Sequence, residues 1–124
     1  MPEFLDTPEI EVSEQDVSSN RVFGILSYIG ILWLVGLLAA KDSAYAKFHA
    51  NQGLVLFLGE IALNVVFGVL TVILSKLNLG IVGMLLQPAV NLLPIAYMVF
   101  GIVFASKGKA KELPFIGQIH LLDK

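Results

Sequence analysis

Nineteen consecutive residues without a charge, Val22 to Ala40, lie between Arg21 and Lys41. As a helix rising about 1.5 Å per residue, this run reaches about 28 Å, close to the thickness of a bilayer's hydrocarbon core. Two more runs follow: Gly53 to Ser75 is interrupted by one charge, Glu60, and Leu77 to Ser106 by none. Three such runs in 124 residues exclude an ordinary soluble globule. Only 15% of the chain is charged and 56% is hydrophobic, whereas a soluble domain carries roughly 25% charged residues.

The expected fold is an all-α membrane protein, a small bundle of about three transmembrane helices. The spans are placed at 22–40, 53–75 and 88–106 within a helical domain covering 21–106. Ala44 to Gln52 reads as a short interfacial helix before the second span, with Tyr45 as a candidate interfacial anchor. Pro88 suits the first turn of the third span, and Pro94 kinks it. The alternative is one long tilted helix starting at Leu79. Segment 107–124, amphipathic with a basic start, is too short and polar to span. It reads either as a membrane-surface anchor with Lys107, Lys109 and Lys111 on lipid, or as a segment packed on the bundle's own end.

Charge divides unevenly. Glu3, Asp6, Glu9, Glu11, Glu14 and Asp16 put six acids and no base into the first twenty residues, so 1–20 reads as a solvated, disordered tail. An acidic leader before a long apolar run is unlike a secretory signal, so the first span is expected to remain in the protein. Lys41, Lys47, Lys107, Lys109, Lys111 and Lys124 oppose Arg21 and Lys76 across the expected membrane. That bias places the first turn and the C-terminus in the cytoplasm and the tail outside, in a multi-pass protein of the plasma or inner membrane. A re-entrant first segment, broken at Gly30 or Gly36, would bring the tail to the cytoplasmic side instead.

Polar and small residues recur along the second span as Gly53, Glu60, Asn64, Gly68, Thr71 and Ser75, with Phe57 between the first two, at spacings of 4, 3, 4, 4, 3 and 4. The third span repeats the stripe with Gln87, Asn91, Pro94, Met98, Gly101 and Ala105 at 4, 3, 4, 3 and 4. Such stripes form seams where small residues let helices approach and amides bond across them. Glu60, Asn64, Thr71, Gln87 and Asn91 are therefore the candidate intramembrane polar residues. A carboxylate there either joins helices or handles protons or cations. Trp33 and Tyr97 read as packing residues.

Catalytic signatures are missing. The chain has no Cys, no phosphate-cradling Gly-rich Lys-Ser/Thr loop, no Gly-x-Ser-x-Gly elbow and no His-Glu-x-x-His pair. No enzyme activity, cofactor, metal site or nucleic-acid partner is expected. His49 reads as a satisfied interfacial histidine, and His120 lacks a companion for a two-histidine metal site.

Phe48-His49-Ala50-Asn51-Gln52, leading into the second span, forms the interfacial motif, and Leu113-Pro114-Phe115-Ile116-Gly117 follows the third. With Ala44 to Lys47 and Gly53-Leu54, these residues resemble a family of small bacterial membrane proteins of unknown function, distantly similar to a chloroplast inner-envelope import component. The resemblance covers about residues 22 to 122 and implies a multi-pass helical fold. Some such proteins carry a cytosolic zinc-binding domain at the N-terminus, which implies a tail on the inside; this chain has no Cys to match it.

The leading functional expectation is an accessory or scaffold subunit whose spans associate with copies of themselves or a larger membrane complex. The alternative is an oligomeric ion or proton channel or carrier using Glu60. A weaker one is a membrane-lesion protein.

Overall fold

The computed structural model describes residues 7–121. Glu3, Asp6 and Lys124, used above in the charge balance, lie outside them. In chain order the elements are β1 (Glu9–Ile10), α1 (Glu14–Leu26), α2 (Trp33–Ala39), α3 (Ala44–Lys76), α4 (Gly80–Ser106) and β2 (Ala110–Lys111). The protein is a small all-α bundle in which α3 packs on α4, α1 and α2.

The run 22–40, expected as one span, is split. Helix α1 starts well before it, at Glu14, because Ser13 caps it: the Ser13 hydroxyl accepts the Asp16 N–H at 3.1 Å. It ends at Leu26, where the Tyr28 and Ile29 N–H groups bond three residues back. Gly30 then takes φ +54°, a backbone state open to a residue without Cβ, and the chain turns into α2. Gly36 on α2 lies so close to α1 that a Cβ would sit 3.2 Å from that of Phe23. The run therefore folds back on itself as a re-entrant pair. The segment expected to be a disordered tail supplies, among its described residues, the short strand β1 and the first half of α1.

Helices α3 and α4, with 33 and 27 residues, are the two described helices long and apolar enough to cross a membrane. The expected interfacial helix at Ala44 is the continuous start of α3, which at about 50 Å exceeds the hydrocarbon core. Likewise α4 runs unbroken from Gly80 through Pro88 and Pro94, as the one-helix alternative has it, rather than beginning at Pro88. Asn78, at φ 60°, provides the left-handed turn between them; the Leu79 N–H closes on the Leu74 carbonyl at 2.7 Å.

Chain start and chain end meet. β1 pairs antiparallel with β2 in the register Glu9 to Lys111 and Ile10 to Ala110, and the Glu112 N–H donates to the Pro8 carbonyl at 2.9 Å. The acidic segment from Thr7 onward thus lies at the same end as the C-terminal segment, not across the bundle from it as the charge count predicts. The buried core, with Val17, Tyr28, Tyr45, Leu56, Ala105 and Leu113, sits at this end. The opposite halves of α3 and α4 leave their aliphatic side chains exposed, including Val65, Val66, Met84 and Leu85.

Candidate functional site

Two polar constellations occur, one at the closed end of the bundle and one between α3 and α4. The first gathers the Phe48 to Gln52 motif. His49 is fully buried. Its Nε2 donates to the Lys109 carbonyl at 2.8 Å, which can only accept, so Nδ1 is the acceptor for the Tyr28 hydroxyl at 2.5 Å. Burial pushes the imidazole down to about 4, partly offset by the Lys109 carbonyl, so the ring is neutral at physiological pH. Rings of Tyr28, Tyr45 and Phe48 meet it edge to face.

Two residues further, Asn51 donates to the Ile119 carbonyl at 3.1 Å and accepts the Leu121 N–H at 2.6 Å. Gln52, the next residue, does the same: it donates to the Gly117 carbonyl and accepts the Leu113 N–H, both at 2.9 Å. Each amide presents a donor and an acceptor, as does each backbone peptide, so both pair with chain more than sixty residues away. The motif is a clasp for the C-terminal segment. That segment, read from sequence as either lipid anchor or bundle packing, packs on the bundle: Leu113 is buried, and Lys111 is 8% exposed with Nζ 5.5 Å from the centre of the Phe104 ring. Lys107 and Lys109 stay exposed.

Two residues that hold this end escaped the sequence reading. Asp16, counted there only as a tail charge, accepts from the Ser43 hydroxyl and from the Tyr45 N–H at 3.1 Å, at the positive N-terminal end of α3. Burial raises its carboxyl, but the bonds from Ser43, Tyr45, Asn20 and Ala44 outweigh that and hold it below the usual range. Tyr45 is no lipid anchor; its hydroxyl donates to the Ala105 carbonyl at 2.5 Å, and its ring fills the space a Cβ at Gly24 would need. His120 bonds Glu112 at 2.9 Å. Among the described residues no three His, Cys, Asp or Glu side chains group as a metal site.

The second constellation is the polar stripe. A cavity of about 440 Å³ is lined by Glu60 and Asn64 from α3, Val90, Asn91, Pro94 and Met98 from α4, and Tyr28 and Gly30 from the re-entrant turn. An adjoining groove of about 660 Å³ continues along the hairpin past Thr71, Ser75, Met84, Gln87 and Pro88, and Asn91 lines both. Asn64 Nδ2 donates to the Glu60 carbonyl at 2.7 Å, Gln87 to Asn91 Oδ1 at 3.2 Å, and the Thr71 hydroxyl to the Gly68 carbonyl at 2.8 Å. The two stripes therefore face a shared opening, and among the described residues their side-chain hydrogen bonds stay within their own helices instead of crossing between them.

A helical hairpin with exposed aliphatic flanks, a re-entrant pair beside it and a clasped polar end defines a small helical membrane protein. By sequence the chain belongs to the magnetosome magnetite crystal formation protein family, whose model matches residues 17–121. It is 30% identical over 92 residues to magnetosome protein MamF of Paramagnetospirillum magneticum, covering 74% of each chain. To magnetosome protein MmsF of the same organism it is 29% identical over 100 residues, 81% of this chain and 84% of the relative. An Archaeoglobus fulgidus protein named only as a UPF0132 membrane protein is 34% identical over 102 residues, 81% of this chain and 90% of that one. No solved structure matches.

Proposed function

We propose that this chain is a multi-pass accessory protein that works by helix association within the membrane, joining copies of itself or a larger membrane complex. The observation that carries this is the distribution of satisfied and unsatisfied surface. At the clasped end, amides, imidazole and carboxylate are paired inside the molecule. Along α3 and α4 the aliphatic flanks are exposed, and Glu60, Asn64, Gln87 and Asn91 face an open groove. In lipid, small and polar residues at such a surface favour a partner helix.

Family membership supports placing this accessory role at a magnetosome membrane, with magnetite crystal formation as the process it serves, since the family is described by that process and MamF and MmsF are named as magnetosome proteins. The archaeal relative's plainer name favours a general membrane scaffold adapted to that setting. Nothing in these names concerns protein import, and no import role is proposed. Catalysis is not part of the reading. The clasped end carries Arg21, Lys41, Lys47, Lys107, Lys109 and Lys111 against Lys76 at the hairpin tip, which supports a cytoplasmic position for both termini.

The test is affinity purification from native membranes in mild detergent, with the stoichiometry of every co-purifying chain measured. A homo-oligomer or a stoichiometric membrane partner, reduced when Asn64 and Asn91 are both replaced by Leu, is expected. A monomer without partners, or an assembly indifferent to that double change, overturns the reading.

A further inference from the structure

Pro94 stands inside α4, and its ring nitrogen has no hydrogen to give to the Val90 carbonyl one turn back. Freed carbonyls at membrane depth persist only where neighbouring groups, water or a ligand replace the missing donor. Val90 and Pro94 line the 440 Å³ cavity together with Glu60. Glu60 lies sixteen residues into α3, about 24 Å from Ala44, so the cavity sits at membrane depth. Opposite them the re-entrant turn contributes Gly30, at the point where the helical bonding of the first segment is interrupted.

The groups available there are oxygens. Glu60 offers a carboxylate with no protein partner among the described residues, and Asn64 has its Nδ2 on the Glu60 carbonyl, leaving Oδ1 unassigned. Asn91 Oδ1 already accepts from Gln87 yet retains a second lone pair. No sulfur or imidazole lines the cavity apart from the Met98 thioether. An all-oxygen donor set selects hard cations, and a single carboxylate balances a single positive charge in a low-dielectric setting. Backbone carbonyls released from helical bonding are among the groups that coordinate cations within membrane proteins.

We propose that Glu60, Asn64 and the Val90 carbonyl freed by Pro94 form a binding site for an alkali metal cation. The site is reached from the α3–α4 tip. The adjoining groove supplies the route: it is lined by Ser75, Thr71 and Gln87, and by Met84, whose carbonyl is freed in the same way by Pro88. Asn91 lies on both cavities and marks the junction. At about 30 Å³ per water, a cavity of 440 Å³ admits the ion with part of its hydration shell. This site shares Glu60 and Asn64 with the surface to which the association reading assigns a partner helix, so oligomeric state is measured beside cation binding.

The test uses the full chain in mild detergent at fixed pH and ionic strength. Thermal unfolding is followed in sodium, potassium and magnesium chloride and in the chloride of a bulky organic cation. Sodium or potassium is expected to raise the midpoint with a saturating concentration dependence, since a ligand that binds only the folded state stabilises it. Glu60→Gln preserves shape and removes a charge from the membrane, so it folds while losing the response. Pro94→Ala restores the N–H to Val90 and weakens the response without touching the carboxylate. Equal midpoints in all salts, a response to magnesium alone, or an undiminished alkali response in Glu60→Gln would each overturn the proposal. Oligomeric state, measured on the same samples, separates this outcome from any failure of the association reading.

Discussion

Replacing Gln52 by Ala removes one side chain that holds two backbone groups of the C-terminal segment. The Leu113 N–H and the Gly117 carbonyl both lose their partner, and the site is closed to water, since Gln52 is fully buried and Leu113 is 1% exposed. A buried polar group left unpaired costs about 1–3 kcal/mol, so the two together cost about 2–6 kcal/mol before any lost packing. With about 1.4 kcal/mol for each factor of ten, the smaller figure already increases opening of this segment about 30-fold. Amide hydrogen exchange at Leu113, followed by mass spectrometry on the detergent-solubilised protein, reads that opening directly. Asn51→Ala is the internal comparison. Its partners, Ile119 and Leu121, lie at the exposed end of the segment, so water replaces them and the change is smaller. If Leu113 in Gln52→Ala exchanges within a few-fold of the unaltered protein, the clasp does not hold the segment.

His49 is neutral when buried at about 4 and titrates near 6.5 when unfolded, so the unfolded chain binds the extra proton first. Stability is full above about pH 6.5 and falls as pH drops toward 4, by about 3 kcal/mol in all; unfolding midpoints from pH 7 to 4 should show this slope, and His49→Gln should flatten it. Gly53→Ala places a Cβ 1.8 Å from the Ser27 carbonyl and should detach the re-entrant pair from α3, whereas Gly68→Ala meets open space and should be tolerated; protease sensitivity between Ser27 and Leu32 distinguishes them. Asp16→Ala should cost about 1–2 kcal/mol through loss of the α3 cap, measured as a drop in the unfolding midpoint. Since the natural chain has no Cys, single cysteines at Ser13 and Ser106 can be labelled cleanly; both should react from the same membrane face, and opposite faces would contradict the pairing of β1 with β2.

Polar residues that line the cavities between α3 and α4 fall on stripes legible in the chain. The recurrence of Glu60, Asn64 and Thr71 on one helix and Gln87 and Asn91 on the next is a property of helical spacing, and the cavities between α3 and α4 are lined by these residues. The role of the Phe48 to Gln52 motif was not legible. Its position before a span drew attention, but its partners Lys109, Gly117 and Ile119 are more than fifty residues away, and no local pattern announces them. The carboxylate of Asp16 looked like one of many tail charges because its partner Ser43 lies 27 positions later.

By itself the sequence determined that the chain lives in a membrane, that its two longest apolar segments are helices, and which faces of those helices are polar. Length, hydropathy and a period near 3.6 are local properties, and the backbone in lipid has few other ways to satisfy its hydrogen bonds. Only the tertiary structure decided that Val22 to Ala40 folds back at Gly30 instead of forming one helix. It also decided that the acidic start joins the C-terminal segment at one end. A crossing helix and a re-entrant pair place the same apolar side chains in the same surroundings, so hydropathy does not tell them apart. The choice rests on close contacts at Gly36, Gly53 and Gly101 and on hydrogen bonds between distant parts of the chain.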